Sequence, residues 1–208
     1  MEAPALNTDL PIPARMEDGV NRARHQIASS GSFFTGVQRV AIAGVARAAR
    51  GGQELATSPE LEEVVAATAA KIATEAHALT AEDVDLVGDP LGYVELYGVV
   101  ARATAIDTAA RGVDAAPIVY PAPSMAPPSG VVAERAKTRS GLAPTVGAVG
   151  PTTALSAIPA EDAAQVDLHG ALYLTYDEMG DPAIVKGLAR WQLELVASRT
   201  SLINDCFF

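Results

Sequence analysis

The chain has one cysteine, Cys206, twelve residues after Glu194. A thiol acts as a nucleophile or redox centre only as the thiolate, so its neighbours decide whether it has chemistry. A single cysteine excludes an internal disulfide framework and a Cys-rich zinc site. His25, His77 and His169 share no metal-ligand spacing and read as surface or hydrogen-bonded histidines. No Rossmann or P-loop glycine pattern and no GxSxG is present. Tyr173 and Tyr176 beside Asp177-Glu178 form no recognisable cluster and are assigned to packing and solvation. Taken alone, a mid-helix glutamate such as Glu194 is ordinarily solvated surface. A cysteine as close to the end as Cys206 is either inert or a sign that the chain stops in the middle of something.

The informative stretch is Trp191-Gln-Leu-Glu-Leu-Val-Ala-Ser-Arg-Thr-Ser-Leu-Ile-Asn-Asp-Cys-Phe-Phe208. It resembles the segment leading into the active site of the AhpD-like alkylhydroperoxidase and carboxymuconolactone decarboxylase family. There a helix carries a glutamate, ends at an Asn-Gly or similar pair, and is followed by C-x-x-C-x-x-x-H. Glu194 and Cys206 keep the family spacing, and Asn204-Asp205 occupies the turn. Two further segments look like parts of larger, two-unit peroxidase-related members: Tyr93–Thr108, and Arg139–Glu161 with its Leu142-Ala-Pro-Thr-Val and Ile158-Pro. The likeness covers most of residues 30–208.

What the resemblance implies is a peroxidase that reduces hydroperoxides through a C-x-x-C pair, using a thiol electron donor and neither metal nor flavin. Cys206 would be the resolving thiol and Glu194 the proton relay. The attacking cysteine would fall one position beyond Phe208, so the chain is expected to be an inactive fragment cut inside the motif. A straight helix puts Glu194 ~18 Å from Cys206, so the relay requires a turn at Asn204-Asp205, where the residue types suit one. Two alternatives stay open. One is a lactone decarboxylase of the carboxymuconolactone type, which does not depend on the cysteine pair. The other is a non-catalytic helical oligomerisation module.

Gln38–Gly52 looks like an eroded copy of the same helix. Matching Ala49 to Ser201 puts Ile42 opposite Glu194 and Glu54 opposite Cys206, so neither catalytic residue survives there.

The elements that must position these residues are helical. Thr35–Arg50 reads as a helix stopped by Gly51-Gly52. Ser58-Pro59 is a start signal, followed by the stripe Leu61, Val65, Ala69, Ile72 and Ala76. Thr80-Ala-Glu-Asp83 is a second start signal. Leu91–Arg111 is the clearest helix, with Leu96, Val99, Ala103, Ile106 and Ala110 as its stripe and Asp107–Arg111 as an i,i+4 pair. Residues 113–130 hold five prolines and read as a linker or surface crossing. Val131–Thr138, Ala160–Tyr176 and Pro182–Asn204 read as later helices, the last with Leu188, Trp191, Leu195 and Leu202 on one stripe. The predicted class is all-α, and the resemblance implies an AhpD-like bundle. Its expected parts are an arm over 1–30, a degenerate unit over 31–112, a Pro-rich linker over 113–130 and a second unit over 131–208.

Composition narrows the partners. A net charge of −10 argues against a nucleic-acid surface, which needs a basic stripe. Residues 140–160 are uncharged, but Pro144, Pro151, Pro159 and three glycines make a buried loop a better reading than a membrane span. Residues 1–16 contain no signal-peptide core, and a cytoplasmic protein is expected. The alanine-rich stripes permit close helix approach, so a homo-oligomer is expected. An end cut at 208 should expose Trp191 or Leu195.

Overall fold

A computed structural model of the chain describes residues 4–54 and 58–203. Among them are eight α-helices: α1 (Ala14–Ala28), α2 (Gly36–Arg50), α3 (Glu63–Thr74), α4 (Ala81–Leu86), α5 (Pro90–Gly112), α6 (Pro159–Leu172), α7 (Tyr176–Met179) and α8 (Arg190–Ile203). The only strand pair among the described residues is the antiparallel hairpin β1 (Val185–Lys186) and β2 (Leu188–Ala189). The class is therefore all-α. None of these helices is long and apolar enough to cross a membrane. The chain divides into two compact units, Met1–Leu172 and Tyr173–Phe208.

In the first unit the helix starts follow local chemistry. Thr35 caps α2 in a reciprocal box with Gln38, and Thr80 and Asp83 do the same for α4. Asp89 accepts from the Leu91 amide at 2.8 Å, and Pro90 opens α5. The core forms around α5, whose buried residues point in every direction rather than along one stripe. That is the signature of a helix surrounded by protein. Leu96, Val99, Ala103 and Ile106 meet Ile42, Ala43 and Ala46 of α2, Val65, Ala69 and Ile72 of α3, and Val20, Ala23 and Ile27 of α1 in one cluster. Each buried Val, Leu or Ile contributes about 1.5–3 kcal/mol. Val94 faces a second, smaller cluster with Leu155, Ala157 and Ile158. Helices α1 and α6 approach closely at Gly19, where a Cβ would lie 2.2 Å from that of Ala171.

Several expectations are corrected by packing. The expected arm over 1–30 packs on the core: α1 occupies Ala14–Ala28, and Ala5 and Leu6 are buried with their amides donating to Glu17. Of the two readings of the Pro-rich stretch, a surface crossing describes it and a spacer does not: it straps the first unit. Ile118 sits in the core, and the amides of Ser124, Ser129 and Gly130 donate to the carbonyls of Ala28, Gly31 and Ser32. Val131–Thr138 is not helical, because the Ala133 amide donates to Ala157 and Lys137 bridges to Thr145. The compact unit therefore runs on to Leu172. Helix α3 starts at Glu63, after a turn in which the Leu61 amide donates to Ser58.

In the second unit the helix expected from Pro182 begins only at Arg190. Residues 185–189 form the hairpin, turning at Gly187 with φ 76°, a left-handed conformation that suits glycine. The Ala189 amide donates to Gln192 Oε1 at 2.8 Å at the start of α8. No residue of α8 is buried, and Trp191 and Leu195 are 68% and 63% exposed.

Candidate functional site

Glu194 lies one turn into α8, and two side chains hold its carboxylate. The Tyr173 hydroxyl donates to Oε1 at 2.8 Å, and Arg190 Nε donates to the same oxygen at 2.6 Å from one turn back. Arg190 is fixed in turn, because its Nη1 donates to the carbonyls of Met179 at 3.0 Å and Glu178 at 3.3 Å. These carbonyls end α7, and that of Glu178 also accepts from the Asp181 amide. The hydrogen bond from Tyr173, then that from Arg190, holds the Glu194 carboxyl below the usual carboxylate range. Partial burial and the facing carboxylate push the Tyr173 phenol up. Glu194 is thus an oriented anion, held ionised by its two donors.

Cys206 and the Asn204-Asp205 turn lie outside the described residues. The helix matched to α8 as an eroded copy is α2, and the matched stretch is helical in both. Ile42 is fully buried in the core and Glu54 is exposed. His25, His77 and His169 fall on α1, on the turn after α3 and on α6. Among the described residues no three His, Cys, Asp or Glu side chains converge to hold a metal ion.

The sequence reading missed a buried charge cluster in the first unit. Arg39 of α2, Glu95 and Arg102 of α5 and Glu161 of α6 are each 2% exposed or less. Arg39 Nη1 pairs with Glu95 Oε1 and, at 2.9 Å, with Glu161 Oε1. Arg102 Nη2 donates to Glu161 Oε2 at 2.5 Å, and its Nη1 donates to the Glu161 carbonyl at 3.3 Å. Glu95 Oε2 accepts from the amides of Ser32 and Phe33 at 2.8 and 2.7 Å. Gly31 is required beside it, since a Cβ there would fall 1.9 Å from Glu95 Oε1.

The two carboxyls respond differently to this setting. Burial opposes ionisation of Glu161, but Arg102 and Arg39 outweigh it and hold the group below its ordinary range. Burial pushes Glu95 up, against the pull of Arg39 and with a further push from Glu161. Two guanidiniums against two carboxylates leave the cluster neutral, and both Glu95 oxygens are engaged. It acts as a clamp joining α2, α5, α6 and the loop after α1.

A cavity of about 270 Å³ lies beside the clamp, lined by Gln26, Ser29, Ser30, Arg39 and Glu161 among others. The sequence signal for the clamp was present: Glu95 and Arg102 stand among the apolar residues of the helix with the clearest buried stripe. The expected Asp107–Arg111 pair does not form. Asp107 instead takes Arg47 of α2 in a bidentate pair at 2.9 and 2.6 Å, a planar match one Arg makes better than an exposed i,i+4 contact. Comparison of the chain with protein-family models, curated proteins and solved structures returned no match.

Proposed function

We propose that the chain carries the leading part of an AhpD-like, two-unit thiol peroxidase site. Glu194 serves as proton relay and Cys206 as resolving thiol. The observation that supports this most is the orientation of Glu194 on α8 by Tyr173 and Arg190, twelve residues before the cysteine.

In that chemistry an attacking thiolate takes the terminal oxygen of a hydroperoxide, breaking the O–O bond and releasing an alcohol. The carboxylate accepts the thiol proton and returns it to the departing alkoxide. The resulting sulfenic acid condenses with the resolving thiol, forming a disulfide and water. A dithiol donor supplies the two electrons that restore the pair. The attacking thiol is not among the 208 residues, which contain one cysteine.

The expected outcome is therefore no turnover of alkyl hydroperoxide by this chain with dithiothreitol. A chain extended through a cysteine at position 209 and a histidine at position 213 should turn over. In the extended chain Glu194→Gln should lower the rate by ~10²-fold, at the low end for loss of a general acid or base. Equal activity in the short and extended chains would sink the assigned roles.

A second reading, a non-catalytic helical assembly module, is favoured by the exposure of Trp191, Leu195, Leu202 and Ile203 on α8. An extended chain that is inert to peroxide but forms a stable oligomer by light scattering would support it over the first.

A further inference from the structure

The C-terminal ends of α2 and α5 meet around a cavity of about 260 Å³, lined by Arg47, Arg50, Arg111, Asp107, Ala110 and Pro117 among others. Three guanidiniums face one carboxylate there, in a chain whose net charge is −10. Arg47 is already committed. It pairs with Asp107, donates to the Ile118 carbonyl at 3.0 Å and lies 5.6 Å over the Tyr120 ring. Arg50 donates only to uncharged oxygens, the Thr104 carbonyl at 3.3 Å and Thr108 Oγ1 at 3.0 Å. Among the described residues no carboxylate pairs with Arg50 or Arg111. Burial, and then the charge of Arg111, holds the Arg50 guanidinium below its ordinary range. Two like charges are thus gathered on one cavity.

Basic residues at helix ends often serve the terminal carbonyls. Here backbone amides already do so. Gly51 donates to Arg47 and Ala48, Gly52 to Ala49, and Gln53 to Ala48. At the end of α5, Val113 and Ala115 donate to Ala110, and Asp114 donates to Arg111. The arginines are left over from capping, and Ala110, Ala115 and Pro117 add apolar surface to the same cavity.

We propose that this cavity binds a small organic carboxylate, its carboxyl held between Arg50 and Arg111 and its apolar body against Ala110, Ala115 and Pro117. Guanidinium pairs match a planar carboxylate. Phosphate suits the cavity less well, because its second negative charge meets Asp107. The volume fits a metabolite below the size of drug-like ligands, whose pockets span ~300–1,000 Å³.

The test is titration of the full chain with acetate, benzoate and succinate, and with benzamide and inorganic phosphate as comparisons. Binding is followed by calorimetry and by the arginine Nε–H resonances. At least one carboxylate should saturate, moving the Arg50 and Arg111 signals, while benzamide leaves them in place. Arg50→Gln and Arg111→Gln should each weaken that binding by tenfold or more. Arg111→Glu should abolish it by supplying Arg50 with a carboxylate from within. Arg111 is exposed, so its variants fold and keep the test decisive if Arg50→Gln does not. Four results overturn the proposal: no saturable shift with any of the three carboxylates, equal binding of benzamide, tighter binding of phosphate than of every carboxylate, or unchanged affinity in Arg111→Gln.

Discussion

Arg102 has no route to water. Its charge is tolerable only because Glu161 meets it, and Glu161 stays ionised because both Arg102 and Arg39 face it. Buried ion pairs add little over well-packed apolar residues, but breaking one leaves a charge stranded. Glu161→Gln should therefore lower unfolding stability by about 3–5 kcal/mol, read from urea unfolding. The double variant Arg102→Met with Glu161→Met should cost less than Glu161→Gln alone. A single-variant cost under about 1 kcal/mol would mean that the cluster is not a clamp. Glu194 stands at the opposite extreme. Its two hydrogen-bond partners orient it at the surface, where orientation matters for chemistry and little for stability.

At the scale of elements, helix starts were legible because capping is local. The helices expected from Thr35, Thr80 and Leu91 begin within one residue of those positions, whereas the Ser58-Pro59 signal opens only a turn before α3. Helix α1 was not read. Its stripe of Met16, Val20, Ala23 and Ile27 is thin among charged residues, and only packing on α2 and α6 reveals it. The box at α4 gains a tertiary partner that sequence spacing does not show. Lys71 of α3 donates to both Asp83 oxygens at 2.7 and 2.8 Å.

That hydrogen bond, followed by the one from the Thr80 amide, holds Asp83 below its ordinary 3.8. A carboxyl depressed in the folded state stabilises above its unfolded pKa, and the gain is lost as pH falls through the folded value. Asp83→Asn keeps an acceptor for the Thr80 amide but removes the charge. The variant should therefore be less stable than the wild type at pH ~7, with the gap closing as pH drops below about 3.8, the unfolded carboxylate value. Urea midpoints at both pH values check this, and a gap that persists in acid contradicts it.

For the molecule as a whole, the division falls at Leu172 rather than in the Pro-rich stretch, which is strapped to the core by Ile118 and by amides at 124–130. The first unit encloses its own hydrophobic core. The second, Tyr173–Phe208, has a helix without a buried residue and falls below the ~40 residues that normally sustain a core unaided. A chain ending at Leu172 should therefore unfold cooperatively within a few degrees of the full chain's Tm. The isolated 173–208 peptide should show little helix by circular dichroism. A truncated chain that is molten, or a peptide that is fully helical, contradicts this division.

The amino-acid sequence by itself determined the class, the starts of α2, α4 and α5, and the Glu194–Cys206 spacing. These depend on residue types within a few turns of one another. Only the tertiary structure decided which charges lie inside. Glu95 and Arg102 share one helix, yet their partners come from positions about 60 residues away in sequence. The same holds for Asp107, which pairs with Arg47 rather than with its neighbour Arg111, and for the arginine-lined cavity that this choice leaves with excess positive charge. Pairing across helices depends on which faces the core brings together, and no local pattern encodes that.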